Sequence, residues 1–328
     1  MAGAAGVIEA ATPARPANPA GAILQSWVAA DPVSIHLLQD IGGIAASAST
    51  VLVRGEGGTG KDLLASIIHY LGPHPEAPLL KIDCAGLPRE VLEVELFGYE
   101  SGAFPGGQTK AGKLELAGQG TIVLDEIAAL TMPMQAKLLR VIDEKRFERV
   151  GGMRSIPVSA RVVALTAIDL EHAVARRTIR EDLYYRLNVV PVLLPALRDR
   201  RGDIRPLAEH FLARLSEIHR KPRLNFAPAA MAALENYSYH GNVRELRGMV
   251  ESAVIHGAPP EILPQDLPPC VRDAAPASAE RKLNLEAMER AHIADVLQFT
   301  QGKKTRAAQI LGISRKTLLE KRKRYGLG

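Results

Sequence analysis

Two cysteines in 328 residues, Cys84 and Cys270, are too few and too far apart for a disulfide framework or a zinc site, so neither staple explains the fold. A reducing compartment suits such a chain. No apolar run approaches the ~20 residues that span a bilayer, and the N-terminus lacks the basic-then-apolar layout of a secretory signal. A soluble, cytoplasmic protein with no membrane role is expected. Internal repeats are also missing. So is a strong excess of one charge: 41 Lys and Arg stand against 36 Asp and Glu, a net +5 that does not by itself imply nucleic acid. The distribution says more, because Lys303, Lys304, Arg306, Arg315, Lys316, Lys321, Arg322, Lys323 and Arg324 are opposed within that stretch only by Glu320.

What is present is a 47% hydrophobic content in a chain long enough for one large core and a smaller one. Residues 1–24, rich in Ala, Pro and Gly without a period, read as a flexible tail; Glu9 and the lack of a basic amphipathic helix argue against a transit peptide. Across 25–200, the runs TVLVRG, APLLKIDCA, GTIVLDEI, ARVVALTA and VVPVLLP alternate with helical stretches, which predicts an α/β unit built on a parallel sheet. Residues 201–257 read as successive helices forming a lid, 258–282 as a proline-broken linker, and 283–328 as a small all-α domain.

The first run leads through Gly55, Glu56, Gly57, Gly58, Thr59, Gly60 and Lys61 into a helical pattern, the strand, Gly-rich loop and helix order of a phosphate-binding loop. Glycines let backbone N–H groups turn onto phosphates, the helix N-terminus adds partial positive charge, and Lys61 reaches the terminal phosphates. The Ser or Thr that usually follows the lysine and holds magnesium is Asp62 here, so the metal must be held differently. The run Gly120–Glu126 ends in two acids. Asp125 is the candidate magnesium ligand, direct or through water, and Glu126 the residue that orients or deprotonates an attacking water; ATP and Mg2+ are the expected ligands.

Near the C-terminus, TRAAQIL, a turn at Gly312-Ile313 and Ser314 as N-cap of RKTLLEKRKRYG predict a helix-turn-helix. The start of the second helix enters the major groove of double-stranded DNA in such a unit, which nominates Ser314, Arg315, Lys316 and, further along, Glu320 for reading bases, with Thr317 also counted among the DNA-binding residues. Lys303, Lys304, Lys321, Arg322 and Lys323 are the candidates for phosphate contact. Leu285, Met288, Ile293, Val296 and Leu297 share a face suited either to pairing with a second subunit or to packing inside the domain.

Taken together, these pieces resemble the bacterial enhancer-binding proteins, AAA+ activators that remodel RNA polymerase carrying sigma-54, and the resemblance runs from about residue 32 to the end. GEGGTGKD is similar to the family's GESGTGKE, in which an acid also follows the lysine. GTIVLDEI matches the family's second phosphate-site strand, and Ala307, Ala308, Leu311 to Ser314, Thr317 and Leu318 match its Fis-type DNA-binding domain. The resemblance implies an AAA+ sheet with a helical lid and upstream, enhancer-like DNA sites. It also implies assembly from a dimer to a hexameric ring in which Arg180 and Arg186 of REDLYYRLN act on the neighbour's ATP. Arg244 of GNVRELR would report on the γ-phosphate. Read from the residues alone, Arg180 and Arg186 could instead form surface pairs with Glu181 and Asp182.

Three places depart from the family. Its sigma-54-contacting loop, GAFTGA, is Gly102, Ala103, Phe104, Pro105, Gly106 and Gly107 here, stiffer and without the hydroxyl at its tip. Its Asn-Cys is Asp83-Cys84, and its Thr-Asn is Thr166-Ala167. An ionised Asp83 cannot donate to Glu126 and repels it, so slow or poorly coupled hydrolysis is expected. Two functions follow: an ATP-hydrolysing remodeller of sigma-54 polymerase, or a DNA-binding regulator that uses ATP as a ligand without engaging sigma-54. No receiver domain is expected in the short N-terminal tail.

Overall fold

A computed structural model describes residues 19–103, 108–222, 224–257 and 260–272, then 289, 290, 292, 293, 296, 297, 300 and 304–325. Two compact units are present, Met1–Pro268 and Pro269–Gly328.

The five apolar runs become β1 (Val51–Arg54), β2 (Leu79–Asp83), β3 (Thr121–Asp125), β4 (Arg161–Thr166) and β5 (Val190–Leu193). All pair in parallel in the order β2-β3-β4-β1-β5. Such a sheet needs apolar residues on both faces, because the crossover helices lie on both. Accordingly, Leu52, Ile122, Leu124, Val162 and Ala164 point into one core, and Val51, Val53, Val123, Val163 and Leu165 into the other. Helices Pro32–Ala46 and Lys61–Tyr70 close the second core, while Met132–Glu144 and Glu181–Leu187 close the first. Because β1 lies between β4 and β5, next to the pair β3-β4, the loops after β1, β3 and β4 emerge side by side at the strands' C-terminal ends, where sheets of this type take ligands.

The lid consists of helices Ile204–Ile218, Pro228–Asn236 and Asn242–His256. Two expectations need correcting at their edges. The tail ends earlier than expected, since Pro19–Gln25 is helical and Ile23, Leu24 and Trp27 pack on the second core; residues 1–18 lie outside the described residues. Three spaced apolar side chains were enough to anchor a segment with no sustained period. The linker, in turn, begins later, because Glu261–Ile262 pairs with Asn225–Phe226 and both Ile262 and Leu267 are buried. Prolines at 260, 264 and 268 break helix there without preventing packing. Residues 273–282 of the expected linker are outside the described residues.

In the second unit, helices Lys304–Ile310 and Arg315–Tyr325 flank a turn at Gly312, whose φ of +67° suits glycine. Ser314 Oγ accepts the Thr317 N–H at 3.0 Å, the expected N-cap. Ile293 and Val296 pack with Ala307, Ala308, Leu318 and Tyr325, with Leu297 at the edge. The apolar face of the preceding segment is therefore used inside the domain at these positions; Leu285 and Met288 are outside the described residues.

Candidate functional site

The phosphate loop is built by its carbonyls as much as by its glycines. Lys61, almost fully buried, donates Nζ to the Gly55 carbonyl at 2.7 Å and the Glu56 carbonyl at 3.3 Å, and stands 3.5 Å from Glu126. Thr59 Oγ1 donates to the Glu56 carbonyl at 2.8 Å. Asn242, the first residue of the lid's last helix, donates to the Gly57 carbonyl at 3.1 Å, and the Val243 and Arg244 N–H groups donate to that of Gly58. Gly58 has φ +79°, and a Cβ there would stand 2.3 Å from the Gly241 carbonyl, so the lid meets the loop at a point only glycine allows. Gly60, at φ +109°, starts the helix Lys61–Tyr70.

Glu56 joins loop to lid through its side chain. Its carboxylate takes two hydrogen bonds from Arg198, at 2.8 and 2.5 Å, and one from Asn242 Nδ2 at 3.1 Å. The Arg198 fork, then Asn242, lowers its pKa to about 2. Neither Arg198 nor Asn242 follows from the loop's spacing, because each arrives from more than a hundred residues downstream.

Asp62 and Asp125 share a cation the sequence reading missed: Lys81 of β2 lies 2.5 Å from Asp62 and 2.7 Å from Asp125. Burial pulls the Lys81 ammonium down, but hydrogen bonds to Asp125 and Asp62 outweigh it and hold its pKa above the ordinary lysine value. Two carboxylates converging on one positive charge are a donor set that fits magnesium. Glu126 has φ +51°, an uncommon conformation for a residue with a side chain, and its Oε2 accepts the Ala167 N–H at 3.1 Å. Asp83 turns the other way, accepting the N–H groups of Ala85 and Gly86 at 3.0 Å each, so it braces its own turn. Burial, then the nearby carboxylates of Asp125, Asp83 and Glu126, push the Cys84 thiol up to about 12, which keeps it protonated.

Arg180 and Arg186 sit at opposite ends of the short helix Glu181–Leu187. Arg180 pairs with Asp182 at 2.8 Å, the surface pairing left open by the sequence; Arg186 pairs with Asp143 at 2.7 Å rather than with a neighbour in its own segment. The buried Gln135 was not foreseen: its Oε1 accepts the Arg180 N–H at 2.9 Å while its Nε2 donates to the Leu130 and Thr178 carbonyls. Arg244 is exposed on the first turn of the lid's last helix, beside the loop at Gly58.

Gly102 and Ala103 extend from a hairpin of Gly98–Tyr99 and Lys110–Ala111; Phe104, Pro105, Gly106 and Gly107 lie outside the described residues. Arg149 ties the hairpin's base, at 2.9 Å from Glu100 and 2.7 Å from Glu115. In the second unit Arg315 and Lys316 are exposed, while the Ser314 hydroxyl caps its helix and lies 2.8 Å from that of Thr317. Lys321, a phosphate-contact candidate, pairs with Glu289 at 2.5 Å, and Tyr325 donates to the same carboxylate. Among the described residues no helix is long and apolar enough to cross a membrane, and no group of three or more His, Cys, Asp or Glu could hold a metal.

Comparison with known proteins matches residues 28–193 to the family described as Sigma-54 interaction domain, 198–284 to AAA+ ATPase lid domain, and 284–325 to Bacterial regulatory protein, Fis family. The regulatory protein AtoC of Escherichia coli (strain K12) is 43% identical over 308 residues, covering 90% of this chain and 67% of that protein. The transcriptional regulatory protein ZraR of the same strain is 42% identical over 317 residues, 96% and 71% respectively. Crystal structures of NtrX from Brucella abortus superpose with TM-score 0.72 in complex with ADP (33% identity, 94% of this chain, 71% of that one). The complex with ATP gives 0.69 (34% identity, 92% and 69%).

Proposed function

Because the chain belongs to the sigma-54 interaction family of bacterial transcription regulators, with an AAA+ lid and a Fis-type helix-turn-helix, we propose that it is an ATP-driven activator. In this reading it binds upstream DNA, assembles from dimer to hexameric ring in the cytoplasm, and hydrolyses ATP to remodel RNA polymerase carrying sigma-54 so that the promoter opens. The observation that carries it is the seat of Glu126, aimed across the strand ends by the Ala167 N–H and Lys61, beside the Asp62 and Asp125 carboxylates.

Each residue has a task there. Lys61 exchanges its carbonyl partners for the terminal phosphates, and the loop N–H groups take the remaining phosphate oxygens. Glu126 orients a water molecule and accepts its proton. Asp125 and Asp62, released from Lys81, would hold magnesium, which when bound would neutralise phosphate charge. Arg180 and Arg186 leave Asp182 and Asp143 to stabilise the charge developing on the neighbouring subunit's phosphoryl group. Arg244 couples the phosphate to the lid angle. Residues 25–200, 201–257 and 283–328 serve as ATPase core, lid and DNA-binding domain, with the lid extended through Pro268. Gly102 to Gly107 form the loop toward the sigma factor. Base reading falls on Arg315 and Lys316, with Ser314 and Thr317 shaping the helix start, and Lys321 contacts phosphate on exchanging its Glu289 partner.

A second reading, ATP as an assembly ligand for a regulator acting without sigma-54, is favoured by Pro105 and by the replacement of two switch side chains by Asp83 and Ala167. The two separate in one experiment: ATP turnover by the purified chain, and its co-elution with sigma-54 in ADP and aluminium fluoride. Turnover with co-elution is expected. Turnover without co-elution would overturn the first reading as stated, and co-elution restored by Pro105→Thr would locate the cause in the loop; neither turnover nor co-elution would move the conclusion to the second reading.

A further inference from the structure

Beside the phosphate loop lies a buried polar cluster with no task in the chemistry above. Asp203 is fully buried and Arg200 nearly so. Asp203 Oδ1 accepts the N–H groups of Ala30 at 2.7 Å and Asp31 at 2.8 Å; Oδ2 accepts the Ser34 hydroxyl and lies 3.7 Å from Arg200 Nη1. Arg200 Nη2 donates to the Thr59 carbonyl at 2.6 Å. Two side chains thus join the chain around the start of helix Pro32–Ala46, the stretch leading into the lid, and the phosphate loop. Burying an ion pair is a poor way to gain stability, and Arg200 Nε has no partner among the described residues. A local rule broken without a packing gain directs attention to what the residue holds.

What it holds is one peptide plane. The peptide unit is planar and trans, so its C=O and the following N–H point in opposite directions. Fixing the Thr59 carbonyl toward Arg200 aims the Gly60 N–H to the opposite side, the side from which, in the nucleotide reading, it would donate to a phosphate oxygen. Asn242 acts in the same way on the plane between Gly57 and Gly58.

We propose that Arg200 is a positioning residue for the phosphate chain of a nucleoside diphosphate or triphosphate. It presets the Gly60 N–H, and Asp203 makes that setting depend on the seat of Ala30 to Ser34. The proposal rests on the nucleotide reading of this site. A displacement of residues 30–34 is then transmitted to phosphate affinity through two side chains, without passing through the sheet.

The test measures Kd for ADP and for AMP by calorimetry on the full chain, with melting temperatures recorded alongside. Wild type should bind ADP and Lys61→Ala should not; failure of either overturns the site reading itself. Arg200→Met should weaken ADP about tenfold, the loss of one charge-assisted hydrogen bond, and AMP much less, because the loop grips the phosphate chain. Arg200→Lys, which keeps a donor and the charge beside Asp203, should recover part of the difference. Ser34→Ala, the removal of one hydroxyl, should lower the ratio of ADP to AMP affinity a few-fold with little change in melting temperature. Equal losses for ADP and AMP in Arg200→Met would make the residue merely structural and overturn the proposal. If Arg200→Met does not fold, Ser34→Ala decides: an unchanged ratio overturns it.

Discussion

At the scale of single residues, Lys81 is the side chain whose position most constrains the chemistry. An ammonium lies between Asp62 and Asp125, the carboxylates proposed to hold magnesium, so in that reading the metal would have to compete with a tethered charge. Lys81→Gln should destabilise the nucleotide-free protein by about 0.5–1 kcal/mol, the range of partly exposed ion pairs. Magnesium alone should then raise the variant's melting temperature more than that of wild type; equal responses would show that Lys81 does not guard the site. Glu56 gives a pH prediction with a definite sign. Its folded pKa is lowered from 4.5 to about 2, so the unfolded chain takes up its proton first as pH falls. The tie to Arg198 is therefore fully present above about pH 4.5 and is lost as pH drops toward 2. Glu56→Gln should flatten the fall in stability over that window, measured by urea unfolding at several pH values; curves parallel to wild type would sink the assignment.

At the scale of elements, the contact that matters is between the phosphate loop and the N-terminus of helix Asn242–His256. Orphan N–H groups of that helix, at Val243 and Arg244, are satisfied by the Gly58 carbonyl, so helix capping and nucleotide-site geometry are one interaction. Gly58→Ala adds a Cβ 2.3 Å from the Gly241 carbonyl at φ +79°. Strain and clash together should cost about 1–3 kcal/mol, relieved most cheaply by lifting the lid. Hydrogen exchange at the Val243 and Arg244 amides should then accelerate selectively, whereas uniform acceleration would indicate general destabilisation. The short helix Glu181–Leu187 follows the same economy: Gln135 fixes its N-cap Arg180 through the backbone, while the side chains of Arg180 and Arg186 stay at the surface, each paired with a single acid among the described residues.

At the scale of the whole molecule, those two arginines make the proposed active site depend on a second copy of the chain. Specific ATPase activity should rise with protein concentration. Arg186→Ala and Glu126→Gln should each lose about a thousandfold or more. An equimolar mixture should regain part of the activity, because the arginine of one subunit can serve the glutamate of another. A mixture no more active than its parts would place the chemistry within single subunits.

The sheet was legible in the sequence because the apolar runs of its inner strands β1, β3 and β4 report burial on both faces, whichever strand each pairs with, and the edge strands β2 and β5 keep shorter runs of the same kind. The phosphate loop, the acids ending β3 and the turn at Gly312 were legible for a related reason: their geometry is set within a few residues, by positive φ, strand ends and capping. Strand order and the partners of charged groups are decided by the folded topology. Lys81 meets Asp62 and Asp125 because β2 lies beside β3, and Asp83 turns onto its own loop, where its acceptors are satisfied, while the Ala167 N–H takes Glu126. Arg198, Arg200 and Asn242 reach the loop from more than a hundred residues away. A hydrogen bond is made wherever donor and acceptor come within reach, and for such pairs only the packed chain determines which ones do.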